Sequence, residues 1–471
     1  MRKIVILVII LLMTPFLCHA DTDNGVDGYS RTGAPPQQTL SQIPAQNGTD
    51  QTSEDIDGQQ AYYLGVKAYN EGNYSEAVKQ LSIAATSELT AENKKNVLIY
   101  QGLSYYQMGI ASYNSGDYPV AIKQLGTALK FKLDDATVAW IKYYRGKAYY
   151  ATGDNNKAVT DLRAAITKFP NWAMAYYIRG NAYFANGSYS LAEKDYASAI
   201  GFLTNNKAEN TYADFAGWLK GYASNAVSNG QTAEMSLLAA CYGGIGGVHM
   251  LQGFNDKAVK DFSNELAIKP QSRFAYFCRG KANLKLNKYP EAINDLTHAE
   301  TLGEKSEELY LNRCSAYFKF GKYDNAKADI DKVIAMNPKN IAAYYIRAEA
   351  EMKMLNMNKA AINDYTIFIN AKPNIIPAYL HRGICYLRAR EDVKGLADIN
   401  HAIEMDPEYP EGYYLRYQYY GMIKHDTDLA MKDYERYLEL EKAMNSAQKK
   451  QMAEDIAIAM ALYFDHFNDG I

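Results

Sequence analysis

Tyr176-Tyr177-Ile178-Arg179-Gly180-Asn181-Ala182-Tyr183-Phe184-Ala185-Asn186-Gly187-Ser188-Tyr189-Ser190-Leu191-Ala192-Glu193-Lys194-Asp195-Tyr196 is written again a hundred residues later. The second version runs Tyr276-x-x-Arg279-Gly280 … Tyr289-x-x-Ala292-x-x-Asp295-Leu296. A third runs Tyr310-x-x-Arg313 … Gly321-x-Tyr323-x-x-Ala326-x-x-Asp329-Ile330. Ten such copies lie between Gly58 and Asn445, with a period of about 34 residues. A unit this short cannot bury its apolar face alone, so copies stack on one another.

Within each copy, apolar and aromatic positions recur every three or four residues over about 14 residues, and then again over about 14 more. A turn rich in Gly, Asn and Asp separates the two runs, as in Thr152-Gly153-Asp154-Asn155. The pattern predicts an antiparallel helix-turn-helix. Gly fills the eighth position in Gly65, Gly109, Gly146, Gly180, Gly246, Gly280 and Gly383, where it lets the partner helix come close. Ala77, Ala121, Ala158, Ala192, Ala258, Ala292, Ala326, Ala361 and Ala430 supply the small residue on the second helix. Pro170, Pro270, Pro338, Pro373 and Pro407 close hairpins, because proline stops a helix.

With these positions in view, the sequence resembles the tetratricopeptide repeats. Their pattern is a large aromatic, Leu, Gly and Tyr, then Ala, an aromatic, Ala and Pro. The resemblance covers about four-fifths of the chain. It implies an all-α, right-handed superhelical solenoid of about ten repeats, whose concave face, lined by first helices, binds a protein or peptide segment. It also places positions 5, 9 and 13 of the first helix on that face. Here position 5 gives Tyr143, Tyr177, Phe277, Leu311, Tyr345, Leu380 and Tyr414, position 9 gives Lys147, Asn181 and Lys281, and position 13 gives Lys285, Lys319, Lys353 and Arg388. An aromatic strip edged with cations suits an extended acidic or Pro/aromatic segment; the same rings could instead pack repeat against repeat. Chaperone-binding relatives pair a Lys at position 5 with Asn at position 9, but Asn181 has Tyr177 as its partner, so that role is not expected.

The chain departs from the family where Leu is usual at the seventh position. It carries Arg145, Arg179, Arg279, Arg313, Arg347, Arg382 and Arg416 there. Asp161, Asp195, Asp261, Asp295, Asp329, Asp364, Asp398 and Asp433 stand at the twenty-third position or the next. The first two copies have neither, reading Leu64 with Gln80 and Met108 with Gln124. Only the fifth breaks the association, with Ile245 beside Asp261. Residues present or absent together predict a ladder of partly buried ion pairs, a structural role first and a ligand-binding one second. Loss of Arg279 alone should then hurt more than joint loss of Arg279 and Asp295.

Two breaks interrupt the period. About ten extra residues between copies one and two include Ala91-Glu92-Asn93-Lys94-Lys95-Asn96, expected as an exposed linker or an extended first turn. A divergent helical unit is expected over 207–238, since Tyr212, Phe215, Leu219 and Tyr222 keep helical spacing. The run Gly243-Gly244-Ile245-Gly246-Gly247 follows it. With no preceding strand and no Gly-Lys-Ser/Thr, it reads as a tight helix contact or a hinge. The expected organisation is therefore 1–20, 21–57, repeats over 58–206, the insertion over 207–238, repeats over 239–444, and a last segment over 445–471.

The first segment reads as a secretory signal: Arg2 and Lys3, an apolar run from Ile4 to Met13, then Cys18-His19-Ala20. Cleavage is expected after Ala20, leading to the periplasm or outside the cell. Membrane association is expected only through an uncleaved signal or lipidation of Cys18, which the bulky Leu17 disfavours. Residues 21–57 are polar and Pro-containing, a tether. Residues 445–471 carry Met452, Ile456, Met460 and Phe464 on one stripe, expected to cap the last repeat or dock on a partner.

Among 471 residues, 48% are hydrophobic and 41 are Tyr, ample for a continuous core. The net charge of −3 gives no basic footprint for nucleic acid. No two His residues stand at i, i+4 and no Gly-x-Ser-x-Gly occurs, so neither an enzyme, a metal nor a cofactor is expected. Cys241, Cys278, Cys314 and Cys385 sit singly in different first helices and are expected to be buried thiols. The reading is an exported scaffold for protein–protein interaction in an envelope assembly or secretion complex; the alternative is a glycan- or polymer-associated structural protein of the envelope.

Overall fold

The computed structural model describes residues 57–204, 232–354 and 356–442. The expected signal, most of the tether and the 445–471 segment lie outside the described residues. The chain divides between Arg279 and Gly280 into two compact units. In the first, α1 (Gly58–Asn70) pairs with α2 (Tyr74–Ala85), and α3 (Ala91–Asn114) with α4 (Tyr118–Ala128). There α5 (Asp135–Ala151) pairs with α6 (Asn155–Lys168), α7 (Ala173–Ala185) with α8 (Tyr189–Leu203), and α9 (Thr232–Leu251) with α10 (Asn255–Ile268). The division falls inside α11 (Arg273–Lys285).

The second unit holds the end of α11 and α12 (Tyr289–Thr301), then α13 (Glu307–Lys319) against α14 (Tyr323–Met336) and α15 (Ile341–Met352) against α16 (Asn358–Ala371). The last pairs are α17 (Ile376–Arg388) with α18 (Asp392–Met405), and α19 (Pro410–Gln418) with α20 (Thr427–Lys442). A π-helical turn over Tyr419–Lys424 extends α19. The described fold is all-α, built from stacked helix-turn-helix repeats.

Close packing inside a hairpin follows from the eighth-position glycine. A Cβ at Gly65 would stand 2.6 Å from Leu81 Cγ, and one at Gly180 would stand 2.8 Å from Tyr196. The large residue sixteen positions on therefore lies directly on the first helix's backbone. Leu81, Leu125, Leu162 and Leu296, which fill that position, are fully buried. Each such leucine contributes about 1.5–3 kcal/mol. The nine alanines of the second helix are buried as well.

The first helix ends on a residue in the left-handed region, at φ +82° for Gly153 and +72° for Gly187. Three repeats place Asn287, Arg390 or His425 in that conformation instead.

The first register break resolves into helix, and so do residues 232–238 of the second. Thr90 caps α3 by accepting from Asn93 N at 3.2 Å, so the extra residues from Ala91 form added turns of a 24-residue helix. Helix α9 starts at Thr232 and runs 20 residues. Residues 232–238, counted with the insertion on sequence grounds, thus open the first helix of the fifth repeat, and the rest of that expected insertion lies outside the described residues. The glycine run sits in the middle of α9. A Cβ at Gly244 would lie 2.7 Å from Tyr196, and one at Gly246 would lie 2.9 Å from Phe262, the geometry of tight helix contacts.

Candidate functional site

Position-5 rings point into the stack. In the first unit Tyr143 is buried and stacks on Trp172 with ring centroids 4.1 Å apart. Tyr177 lies 6.0 Å from Tyr196, whose hydroxyl donates to Asn181 Oδ1 at 2.7 Å. Lys147 Nζ lies 4.6, 5.5 and 5.6 Å from the rings of Tyr113, Tyr143 and Tyr144, a cation held among three tyrosines. Phe277 is buried.

In the second unit Tyr345 packs on Phe368 at 4.8 Å, and Tyr414 on Tyr437 at 5.1 Å. Lys281 forms an ion pair with Glu308. Arg388 donates to the Met352 carbonyl at 2.9 Å, and Lys353 is half-buried. Lys285 and Lys319 are exposed at the ends of α11 and α13. Of the fourteen candidate groove residues, these two lysines offer the most open charge.

A carboxylate cluster spans the last three hairpins. Glu349 Oε1 accepts from the Tyr365 hydroxyl at 2.6 Å and meets His381 Nδ1 at 2.6 Å. His381 Nε2 stands 4.0 Å from the buried Glu411. Burial alone would raise the Glu349 carboxyl; His381 and the hydrogen bonds from His381 and Tyr365 prevail and bring it to about 2.

The seventh-position arginines form two-point contacts along the hairpins. Arg145 Nε donates to Asp161 Oδ2 at 2.6 Å and Nη2 to Oδ1 at 2.8 Å. Arg179 with Asp195, Arg313 with Asp329 and Arg382 with Asp398 repeat this geometry sixteen residues apart. Arg347–Asp364 and Arg416–Asp433 repeat it seventeen apart. In the tenth repeat the π turn absorbs the added residue. Arg279 Nη1 donates to Ser263 at 3.0 Å, and Asp295 accepts from Asn283 Nδ2 at 3.0 Å.

Two features of the ladder are not expected from the columns of Arg and Asp. Tyrosines one turn either side sandwich several guanidiniums. Arg179 lies 5.2 Å from Tyr176 and 5.9 Å from Tyr183; Arg382 lies 5.6 Å from Tyr379 and 5.8 Å from Tyr386. The remaining nitrogen also reaches the previous hairpin. Nη1 of Arg313 donates to Thr297, that of Arg347 to Asp331, that of Arg382 to Thr366 and that of Arg416 to Asn400, at 3.2, 2.7, 3.1 and 2.7 Å. Each of these arginines ties its own hairpin together and fastens it to its predecessor.

The fifth repeat corrects the reading that the association simply breaks at Ile245. His249, one turn further along α9, meets Asp261 Oδ2 through Nδ1 at 2.6 Å. The signal was a histidine four residues after the missing arginine, on the same helix face.

The four cysteines among the described residues are buried, and burial pushes the Cys314 and Cys385 thiols up to about 12. Among the described residues no group of three or more His, Cys, Asp or Glu is placed to hold a metal ion. None of the described helices is long and apolar enough to cross a membrane.

Two stretches match tetratricopeptide repeat family models, residues 143–206 and 307–340. No curated protein matches the chain. Among solved structures, MamA from Desulfovibrio magneticus RS-1 is 22% identical over 37% of this chain and 97% of its own, with a TM-score of 0.34. YrrB, described as a TPR protein with an unusual peptide-binding site, is 16% identical over 40% of this chain and 93% of its own, with a TM-score of 0.35. The C-terminal part of a TPR repeat-containing protein from Cytophaga hutchinsonii is 17% identical over 57% of this chain and 97% of its own, with a TM-score of 0.42. With two stretches matched directly and the same helix-turn-helix unit repeated throughout the described residues, this chain belongs to the tetratricopeptide repeat proteins.

Proposed function

We propose that this protein is an exported scaffold that binds another protein, taking an extended acidic segment along the first helices of its second unit. The observation that carries the reading is the pair of exposed lysines, Lys285 and Lys319, at the same position of successive repeats. Lys353 and Arg388 continue that position in the next two repeats. Export to the periplasm or the exterior rests on the first twenty residues, and a place in an envelope assembly or secretion complex rests on export joined to repeat architecture. The glycan reading draws less support, because it wants open ring faces, and Tyr143, Tyr345 and Tyr414 pack on neighbouring rings.

The test is binding of labelled extended peptides, acidic, neutral and basic, to the full chain and to a Lys285→Glu, Lys319→Glu variant. Both lysines are exposed, so the fold tolerates the change. Acidic peptide should bind best and lose about tenfold in affinity on charge reversal, since each exposed pair contributes up to about 1 kcal/mol. Equal binding of all three peptides, or no change in the variant, overturns the reading. Alanine at Tyr143, Tyr177 or Tyr345 would instead test packing.

A further inference from the structure

Among the described residues, the fifth repeat is the one place where the ladder's cation can lose its proton near neutral pH. An arginine stays charged at any physiological pH, whereas an imidazole does not. His249 also copies both jobs of the arginines it replaces. Its Nδ1 faces Asp261 Oδ2 of α10, its own hairpin partner, at 2.6 Å, and its Nε2 faces Glu193 Oε1 of α8, in the preceding hairpin, at 3.4 Å. The ring itself is buried.

We propose that His249 is a proton-operated link between the fourth and fifth hairpins: charged, it joins α8 to α9; neutral, it lets Glu193 go. The asymmetry comes from the two distances. A neutral imidazole keeps one N–H, and the shorter contact to half-buried Asp261 retains it on Nδ1. The proton that leaves to solvent is therefore the one on Nε2, and a bare nitrogen lone pair then faces the Glu193 carboxylate. Deprotonation thus opens the junction between hairpins and leaves the one within the hairpin closed.

Charges on every packed element agree with this. Helix α10 presents Asp261, and the charge of Lys257 on the same helix also acts on that carboxylate. Its Glu265 lies apart, against Gly243. Helix α8 presents Glu193, while its Asp195 is committed to Arg179 of α7. On α9 itself, Tyr242 and Cys241 are buried, and their own ionisation is pushed upward by burial. The hydrogen bond to Asp261 raises His249 above its ordinary 6.5 despite burial, and Glu193 adds to the rise. The sign follows: the link is complete below about pH 6.5 and is lost as pH rises through the folded value.

Hydrogen exchange across α8, α9 and α10 of the full chain, corrected for intrinsic rate and followed from pH 6 to pH 9, tests this. The same samples give the His249 ring titration by NMR. Wild type should open several-fold more often at the high end. His249→Gln should show the high-pH level throughout, and His249→Arg should be flat. Glu193 is partly exposed, so Glu193→Gln folds even where a His249 variant does not. That variant should lower the ring's titration point and shrink the step in exchange. A ring titrating at or below 6.5, or the same step in wild type and Glu193→Gln, overturns the proposal.

Discussion

The first two hairpins and the last four solve the same problem with different chemistry. In α1–α4 the seventh position is Leu64 or Met108, and its partner column holds Gln80 or Gln124. Neutral amides and rings cross from one hairpin to the next: Asn93 donates to Gln59 at 3.1 Å, Gln101 to Ser82 at 3.2 Å, and Tyr69 meets Tyr100 at 5.1 Å. In α13–α20 the crossing is made by guanidiniums whose two other nitrogens are held by a buried aspartate. Neutral crossings are forgiving of substitution. Charged ones are not, because the partner left behind is a buried anion.

The sharpest way to break the comparison is to substitute the seventh position in each kind of hairpin. Arg313→Met takes the guanidinium from buried Asp329 and from Glu300, leaving Lys332 3.5 Å from Asp329, and should destabilise the second unit by about 3 kcal/mol. Adding Asp329→Leu should recover most of that. Leu64→Met, at the matching position of the first hairpin, should cost less than about 1.5 kcal/mol. Repeat arrays open piecewise, so the readout is local hydrogen exchange beside urea unfolding. Equal losses for Arg313→Met and Leu64→Met would erase the distinction.

A buried carboxyl held by a single hydroxyl marks the opposite extreme. Glu265 on α10 accepts from the Ser272 hydroxyl at 2.6 Å through Oε1, but its Oε2 has no hydrogen-bond partner among the described residues. Burial lifts this carboxyl to about 7, against 4.5 for an ordinary glutamate. An acid raised on folding is neutral in both states at low pH and destabilises once it must ionise in the folded one. Its cost grows as pH rises from about 4.5 and is complete above about 7. Glu265→Gln should therefore stabilise the first unit by about 3 kcal/mol at pH 8, and leave it nearly unchanged at pH 4.5. Equal effects at the two values would show that the carboxyl ionises freely.

The repeat itself was legible because the chain serves as its own alignment. Gly180 over Tyr196, or Arg179 with Asp195, recurs often enough for spacing and residue size to be read down the columns. Substitutions that keep a function but change column are hidden by the same method. His249 does the work of the arginine missing at Ile245 from one turn away, and the tyrosines flanking Arg179 and Arg382 read as mere filling. The groove was less legible than the ladder. Whether Tyr143 faces solvent depends on Trp172 of the next repeat, a contact that periodicity within one helix does not contain. For the same reason helix α9 begins at Thr232, inside a stretch whose own spacing suggested a separate unit.

The smallest effect separates turns that follow the repeat's rule from those that strain it. Gly321 ends α13 at φ +77°, a conformation free to glycine, and Arg390 takes the same place after α17 at φ +62°. A side chain there costs about 1–2 kcal/mol, while glycine's extra freedom in the unfolded chain returns part of that difference. Arg390 is exposed, so its side chain adds little by packing. Arg390→Gly should thus stabilise the ninth hairpin by about 0.5–1 kcal/mol, and Gly321→Arg should cost about 1 kcal/mol at the seventh. Exchange protection at the ends of α17 and α13 reads both changes. A loss of protection in Arg390→Gly would mean that the arginine holds that turn by a contact outweighing its backbone strain.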